Sequence, residues 1–296
     1  MYLPFMIKKY KIKKALFKLL NILPTHKGFS VYYFIQNKLK RITLEEKLIA
    51  GENTYRDLKK ILEQIDVKLE NKSVLEIGSG WLPILPYFLR SFGKAGDIFT
   101  YDLRSHYSKK AILELNQKFE VKYKVQIQKG KNAYGLPPGI SYYPNTDLTT
   151  SSIPEVDLIF SRFVLEHVSP EDLKGMHLNF KKHLKLGSHI VHYVSPSDHR
   201  AYEEKSLSLQ DFLKFSEEEW NKLQTKFDYH NRWRLPQYIS LFRSLGYEIS
   251  YLEYDNPEKN SSAYQKFLKV PVHSDFQKFN KEELTAGSIK LILKVV

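Results

Sequence analysis

The segment Val74-Leu75-Glu76-Ile77-Gly78-Ser79-Gly80-Trp81 constrains what this chain can fold into more than any other. The apolar run Ser73 to Ile77 has the length and composition of a buried strand, and it enters a turn with two glycines one residue apart. A helix-like stretch, Ile84 to Phe92, follows. Glycines in such a turn reach positive φ and let the backbone approach a ligand. Open α/β sheets bind nucleotide-like ligands at the carboxyl ends of their strands. The acid at Glu76 tells against a phosphate ligand, which a carboxylate would repel, and suits one carrying a positively charged amino group. The dinucleotide fingerprint G-x-G-x-x-G is broken by Pro83, and the phosphate loop G-x-x-x-x-G-K-[ST] is absent.

The same strand-then-acid pattern repeats downstream. Asp97 to Tyr101 reads as a second strand and ends at Asp102, 26 residues after Glu76. An acid about 20 residues past a dinucleotide loop accepts hydrogen bonds from ribose hydroxyls, and Asp102 suits that role. Ile140 to Tyr143 reads as a third strand, and Asp147 after it could accept a bond from an adenine amino group. Each acid alone also suits a helix cap or a turn; it is their order along the strands that favours a cofactor site.

The remaining pattern alternates strands with helices. Val156 to Phe160 and His189 to Val194 read as strands four and five, and Tyr247 to Tyr254 and Ser288 to Val295 as the last two. Helices are expected over 44 to 70, Lys109 to Phe119, Glu217 to Lys226 and Pro236 to Leu245. Another should start at Ser169-Pro170-Glu171-Asp172, where serine caps, proline opens and acids fill the first turn. This alternation predicts an α/β fold: a three-layer Rossmann-like sandwich whose mostly parallel sheet has helices on both faces. The final two strands are joined without an obvious helix, which suggests an antiparallel edge. Residues 1–69 read as a basic helical extension and 70–296 as the sheet domain, with a polar, aromatic insertion at about 196–232.

Hydrophobic residues are 42% of the 296, enough for a sizeable core, and there is no cysteine, so disulfides and cysteine nucleophiles are excluded. The net charge of +13 favours acidic partners such as nucleic acid, anionic lipid or phosphate-bearing molecules. No acid precedes Glu45, and Ile7 to Leu23 reads as a basic amphipathic helix suited to an anionic membrane surface or to covering a substrate site. No stretch matches a membrane span or a signal peptide, so a cytoplasmic protein, peripheral at most at the inner face of the membrane, is expected.

Val74 to Gly80, Thr100 to Leu103, Asp147, and Asp157 to Val168 together resemble successive motifs of the class I S-adenosylmethionine (SAM)-dependent methyltransferases, over residues 70 to 255. The resemblance implies a seven-stranded sheet with a reversed last strand. It also implies SAM held by Glu76, Gly78, Ser79, Gly80, Asp102 and Asp147, with Arg162 and Phe163 beside it. The chain departs from the family at Leu82, where a third glycine is frequent.

In this family the loop after strand four, Ser161 to His167, faces cofactor and substrate, and Phe163 could pack near the sulfonium. Methyl transfer is an in-line displacement, and an alcohol nucleophile must also lose its proton, usually to histidine. His199 and His167 are the candidates, with Asp198 beside His199; His192 lies inside a strand and reads as structural. Asp198 could instead help hold a metal, but no carboxylate cluster accompanies it, so no metal site is expected. Arg200, Tyr229, Arg232 and Arg234 are expected to bind a phosphorylated or sugar substrate. The layout Ser197-Asp198-His199, Leu213 to Glu217 and Asn231 to Arg234 is similar to methyltransferases of surface-polysaccharide assembly, which implies O-methylation of a sugar on a glycan or glycolipid precursor. An RNA methyltransferase suits the charge, but Ser161-Arg162-Phe163-Val164 stands where base-modifying enzymes carry an Asn/Asp-Pro-Pro-Tyr-like loop. A non-catalytic SAM-binding scaffold is the other alternative.

Overall fold

The computed structural model describes residues 15–39 and 42–296. Part of the expected helix Ile7 to Leu23, residues 7–14, lies outside the described residues; 15–22 are helical.

Seven strands form one sheet in the order β3-β2-β1-β4-β5-β7-β6. They are β1 (Val74–Ile77), β2 (Ile98–Asp102), β3 (Ile140–Pro144), β4 (Leu158–Arg162), β5 (His189–Val194), β6 (Tyr247–Asp255) and β7 (Gly287–Val295). The first five pair in parallel, and β7 runs antiparallel to both β5 and β6. The sheet thus ends in an antiparallel pair, as expected, with the reversed last strand one place in from the edge and β6 as the edge strand. The 31-residue connection 256–286 carries β7 back between them.

Alternate residues of the central strands feed two cores, as period-2 geometry requires. Val74, Leu158 and Phe160 pack against α2 (Leu44–Gln64), α3 (Ile84–Ser91) and α4 (Lys109–Tyr123) through Leu58, Phe88 and Phe119. Leu75, Ile77 and Ile159 pack on the other face against α5 (Pro170–His183) and α8 (Leu235–Ser244) through Leu173, Phe180 and Phe242. Both faces being covered explains why β1 is buried at all four positions.

Helix boundaries follow local chemistry. Thr43 and Glu46 form a capping box that starts α2, and Ser169 caps α5 with Pro170 at its first turn. The earlier α1 (Thr25–Leu39) and the helical residues 15–22 pack on the insertion: Phe227 lies against Phe17, Phe29 and Tyr32, at 6.0, 4.8 and 5.2 Å between ring centroids. The insertion holds α6 (Arg200–Glu203) and a 3-10 turn at Asp211–Lys214 besides the expected helix, here α7 (Glu217–Leu223). The last connection holds α9 (Ser262–Phe267) and α10 (Lys281–Thr285). A third core, Phe212, Leu213 and Trp220 with Phe267, Phe276 and Leu284, joins insertion and connection.

One buried amide ties α5 to the turn after β3. Asn179 donates through Nδ2 to the carbonyls of Leu148 and Ser151, at 3.0 and 2.8 Å. Replacing it leaves two carbonyls unmet at a buried site, which costs about 1–3 kcal/mol. Asn179→Ala is expected to lower the melting temperature by several degrees in thermal unfolding; an unchanged midpoint would deny the tie.

Candidate active site

The β1 and β2 tips meet through Ser79 and the Gly80 amide, which reach Asp102, and the cavity beside them is lined from β1 and β4. The β1 chain leaves Glu76 buried and turns through Gly78 and Gly80, at φ +73° and +66°. A Cβ on Gly78 would stand 2.7 Å from Val164 Cγ2, so this glycine lets the loop after β4 close on the β1 turn. A Cβ on Gly80 would meet nothing within 4 Å: its backbone faces open space. Leu82, where the third glycine was expected, is half-buried and lines the cavity over the β1 tip with Trp81, Phe160 and Arg162. That cavity holds about 990 Å³ of space open to solvent.

The carboxylates at these tips are short of partners. Glu76 Oε2 is buried with no hydrogen-bond partner among the described residues. Burial, with Asp102 nearby, holds the Glu76 carboxyl well above its ordinary range. Burial pushes Asp102 up to about 7, opposed by the Gly80 amide and Ser79. The Ser79 hydroxyl contacts those of Thr100, at 2.9 Å, and Tyr107, and lies 3.4 Å from Asp102 Oδ2. Asp147 lies on the next turn, whose Thr146 amide donates to the Asp102 carbonyl at 3.1 Å. Asp147 Oδ1 accepts from the Thr149 amide and hydroxyl, so it is a turn residue first; exposed, it keeps Oδ2 for another donor. A ligand with a cationic amino group and hydroxyl donors fits this set, because it meets an orphaned buried acceptor beside a cradle of bare backbone. Above it, Tyr33 of α1 packs on Trp81 and His106, at 5.4 and 4.9 Å.

On the β4 side, Phe163 adopts φ +58°, costly for a non-glycine residue, at about 1–3 kcal/mol. Its amide donates to the Tyr193 carbonyl at 2.7 Å, and its ring, 43% exposed, lies 4.2 Å under the Arg162 guanidinium. Arg162 lines the cavity over the β1 tip.

Beyond it the chain gathers histidines. His167, on the 3-10 turn Leu165–His167, donates from Nδ1 to the Tyr229 carbonyl at 2.8 Å. That fixes the tautomer and leaves the Nε2 lone pair for other work. His199 follows β5, and His230 lies in the insertion. Their rings stand 5.0 Å (His167–His199), 5.7 Å (His167–His230) and 5.2 Å (His199–His230) apart. Glu166 is fully buried, and its Oε1 accepts from the Ser195 amide at 3.2 Å. Where no metal site was expected, ligand atoms of Glu166, His167 and His199 come within 4.8 Å of one another. Asn231 laces the insertion to this turn through the carbonyls of Leu165 and Val168.

Beside the histidines opens a second cavity of about 670 Å³, lined by Phe17, His199, Trp220, Gln224 and Asp228 among others. Asp198 and Arg200 also line it, but Asp198 is 1% exposed and committed to Arg200, whose Nη2 reaches it at 2.5 Å and Asp211 at 3.1 Å. Asp198 is thus a support for Arg200. Tyr229 is half-buried and serves His167 through its carbonyl.

Two expected substrate residues are corrected. Arg232 and Arg234 are both 0% exposed. Arg232 donates to the carbonyls of Phe212 and Phe215, at 2.9 and 2.7 Å, and pairs with Glu217 at 2.6 Å. Arg234 donates to the Arg232 carbonyl at 3.0 Å, and burial brings its guanidinium down to about 10. Irregular backbone inside a core needs donors for its carbonyls, and these guanidiniums supply them. His192 is structural as expected, its Nδ1 2.7 Å from the Ser161 hydroxyl inside the sheet. The sequence reading passed over Glu166, His230 and Trp220; all three lay in segments already singled out, but no local pattern marks them as neighbours.

No family model and no curated protein matches the sequence. Solved structures do share its fold. A candidate sarcosine dimethylglycine methyltransferase from Galdieria sulphuraria is 13% identical at a TM-score of 0.50, over 89% of this chain and 96% of that one. Magnesium protoporphyrin IX methyltransferase from Synechocystis, with bound S-adenosylhomocysteine (SAH), is 13% identical at 0.48, over 90% and 94%. A candidate methyltransferase from Bacillus halodurans is 16% identical at 0.46, over 81% and 98%. At these identities the likeness is one of fold: the chain has the sheet order and reversed strand of the class I methyltransferase fold.

The raised Asp102 carboxyl makes a signed prediction. A folded-state value above the unfolded one is a stability penalty, absent below the unfolded value and fully present once pH passes about 7. Asp102→Asn is therefore expected to melt higher than the unsubstituted ligand-free chain at about pH 8, and this gain should shrink toward about pH 5. A difference that does not vary with pH would contradict it.

Proposed function

We propose that this chain is a SAM-dependent methyltransferase that transfers a methyl group to a sugar hydroxyl of a glycan or glycolipid precursor. The observation that carries the reading is the orphaned Glu76 Oε2 beside Asp102 and the open Gly80 backbone, at the tips of a sheet with this fold. Bound there, SAM supplies an electrophilic methyl group. Glu76, with Asp102 and Asp147, meets the donors of the amino acid and adenosine parts, and Phe163 with Arg162 forms the wall toward the acceptor.

The second cavity supports this acceptor class. Trp220 and Phe17 offer flat apolar faces, while Asp228, Gln224 and Glu203 offer acceptors and donors for hydroxyl groups. His199 lines it, with the His167 ring 5.0 Å away, and the acceptor hydroxyl is activated at this pair. The charge of +13, with Lys18 and Lys27 beside exposed Leu19, Ile22 and Phe34, suits an acceptor on an anionic membrane, reached by peripheral contact through residues 7–23. Among the described residues no helix is long and apolar enough to cross a membrane.

Labelled methyl transfer from SAM to nucleotide-linked and lipid-linked sugars tests the reading; no transfer to any carbohydrate would overturn the acceptor class. His167→Ala and His199→Ala are expected to lower kcat by about 10²–10⁴ while leaving SAH affinity within about twofold. Unchanged turnover in both would remove the assignment of activation to this pair.

A further inference from the structure

We propose that Glu166, His167 and His199 form a divalent-cation site whose open positions face the acceptor cavity. One carboxylate oxygen and two imidazole nitrogens come within 4.8 Å of one another. A shared cation at about 2.0–2.2 Å from each would draw them to about 3–3.5 Å. The closing move falls to His199, which is exposed and starts the four-residue helix α6.

Two features of the cluster point to a cation. Glu166 is 0% exposed, and its Oε2 has no hydrogen-bond partner among the described residues while Oε1 takes the Ser195 amide. A buried carboxylate oxygen with no donor is costly, and a metal ion meets that need. His167 already has the outer bond typical of a metal-bound imidazole, Nδ1–H to the Tyr229 carbonyl, which directs the Nε2 lone pair away from it. His230, the third ring, is not part of the set: its Nδ1 accepts the Arg232 amide at 3.2 Å, which places its proton on Nε2.

The ligand set identifies the cation class. Imidazole nitrogens with one carboxylate suit zinc and its neighbours cobalt, iron and nickel better than magnesium or calcium, which prefer all-oxygen shells. Three protein ligands with a position left open is the pattern of catalytic rather than structural sites. Because His199 also lines the acceptor cavity, the open position can take an acceptor oxygen and make its hydroxyl more acidic. This role rests on the methyl-transfer reading; uptake of the ion does not.

Cobalt titrated into the full chain, after removal of metal by chelator, tests the site through its visible ligand-field absorption and by calorimetry. One equivalent is expected to bind with a visible spectrum, and Glu166→Gln and His199→Ala are each expected to weaken uptake at least about tenfold. His199 is exposed, so His199→Ala keeps the test valid should Glu166→Gln fail to fold. Absence of saturable uptake, or uptake in His199→Ala equal to that of the unsubstituted chain, overturns the site. SAH calorimetry on the same samples separates the two proposals. SAH binding without cobalt uptake defeats the cation site alone. Cobalt uptake without SAH binding defeats the methyltransferase reading alone.

Discussion

Two carboxylates share a poorly hydrated corner of this molecule, and the architecture around them follows from that. Glu76 and Asp102 end neighbouring parallel strands, so the ladder that pairs Ile77 with Tyr101 also brings their side chains to one place. Both are less than a tenth exposed, and each is held above its ordinary range by burial. Such a corner is unfavourable in the ligand-free chain. It is tolerated because the sheet beneath is rigid and doubly covered, and it becomes favourable when a ligand supplies donors. The glycine turn leaves open space at Gly80, and α1 packs on that turn through Tyr33 against Trp81.

The second half of the site is built by different means. The insertion has little regular structure, so its carbonyls cannot be met by a ladder. Arg232 and Arg234 meet them from inside, Trp220 donates to the His230 carbonyl, and Asn231 reaches the turn of Glu166 and His167. The histidines are thus held by side-chain bonds to main-chain atoms, and a substitution among these supports should misplace His167 and His230 without touching the carboxylate corner.

Much of the first half was legible in the sequence because its information is local. Each strand, and the acid that ends it, lies in one short segment, and for β1 a short apolar run marks the strand. The second half was not. Glu166 and His167 reach His199 across 32 residues, and His230 a further 31, with no periodicity linking them. The segment Asp228 to Leu235 misled for a physical reason: arginines among aromatic residues read alike whether their guanidiniums meet a ligand or buried carbonyls, and only burial tells these apart. Helices α9 and α10, at six and five residues, are too short to show helical periodicity, which is why the last connection read as empty.

The most direct test of the account is whether the carboxylate corner loses protons when SAH binds. Calorimetry near pH 7 in two buffers of different ionisation enthalpy reads this. Donors from the ligand favour the charged carboxylates, so binding should release protons and the heats should differ between buffers, with the difference much reduced in Asp102→Asn. Binding with equal heats in both buffers, or with net proton uptake, would contradict a site built on Glu76 and Asp102.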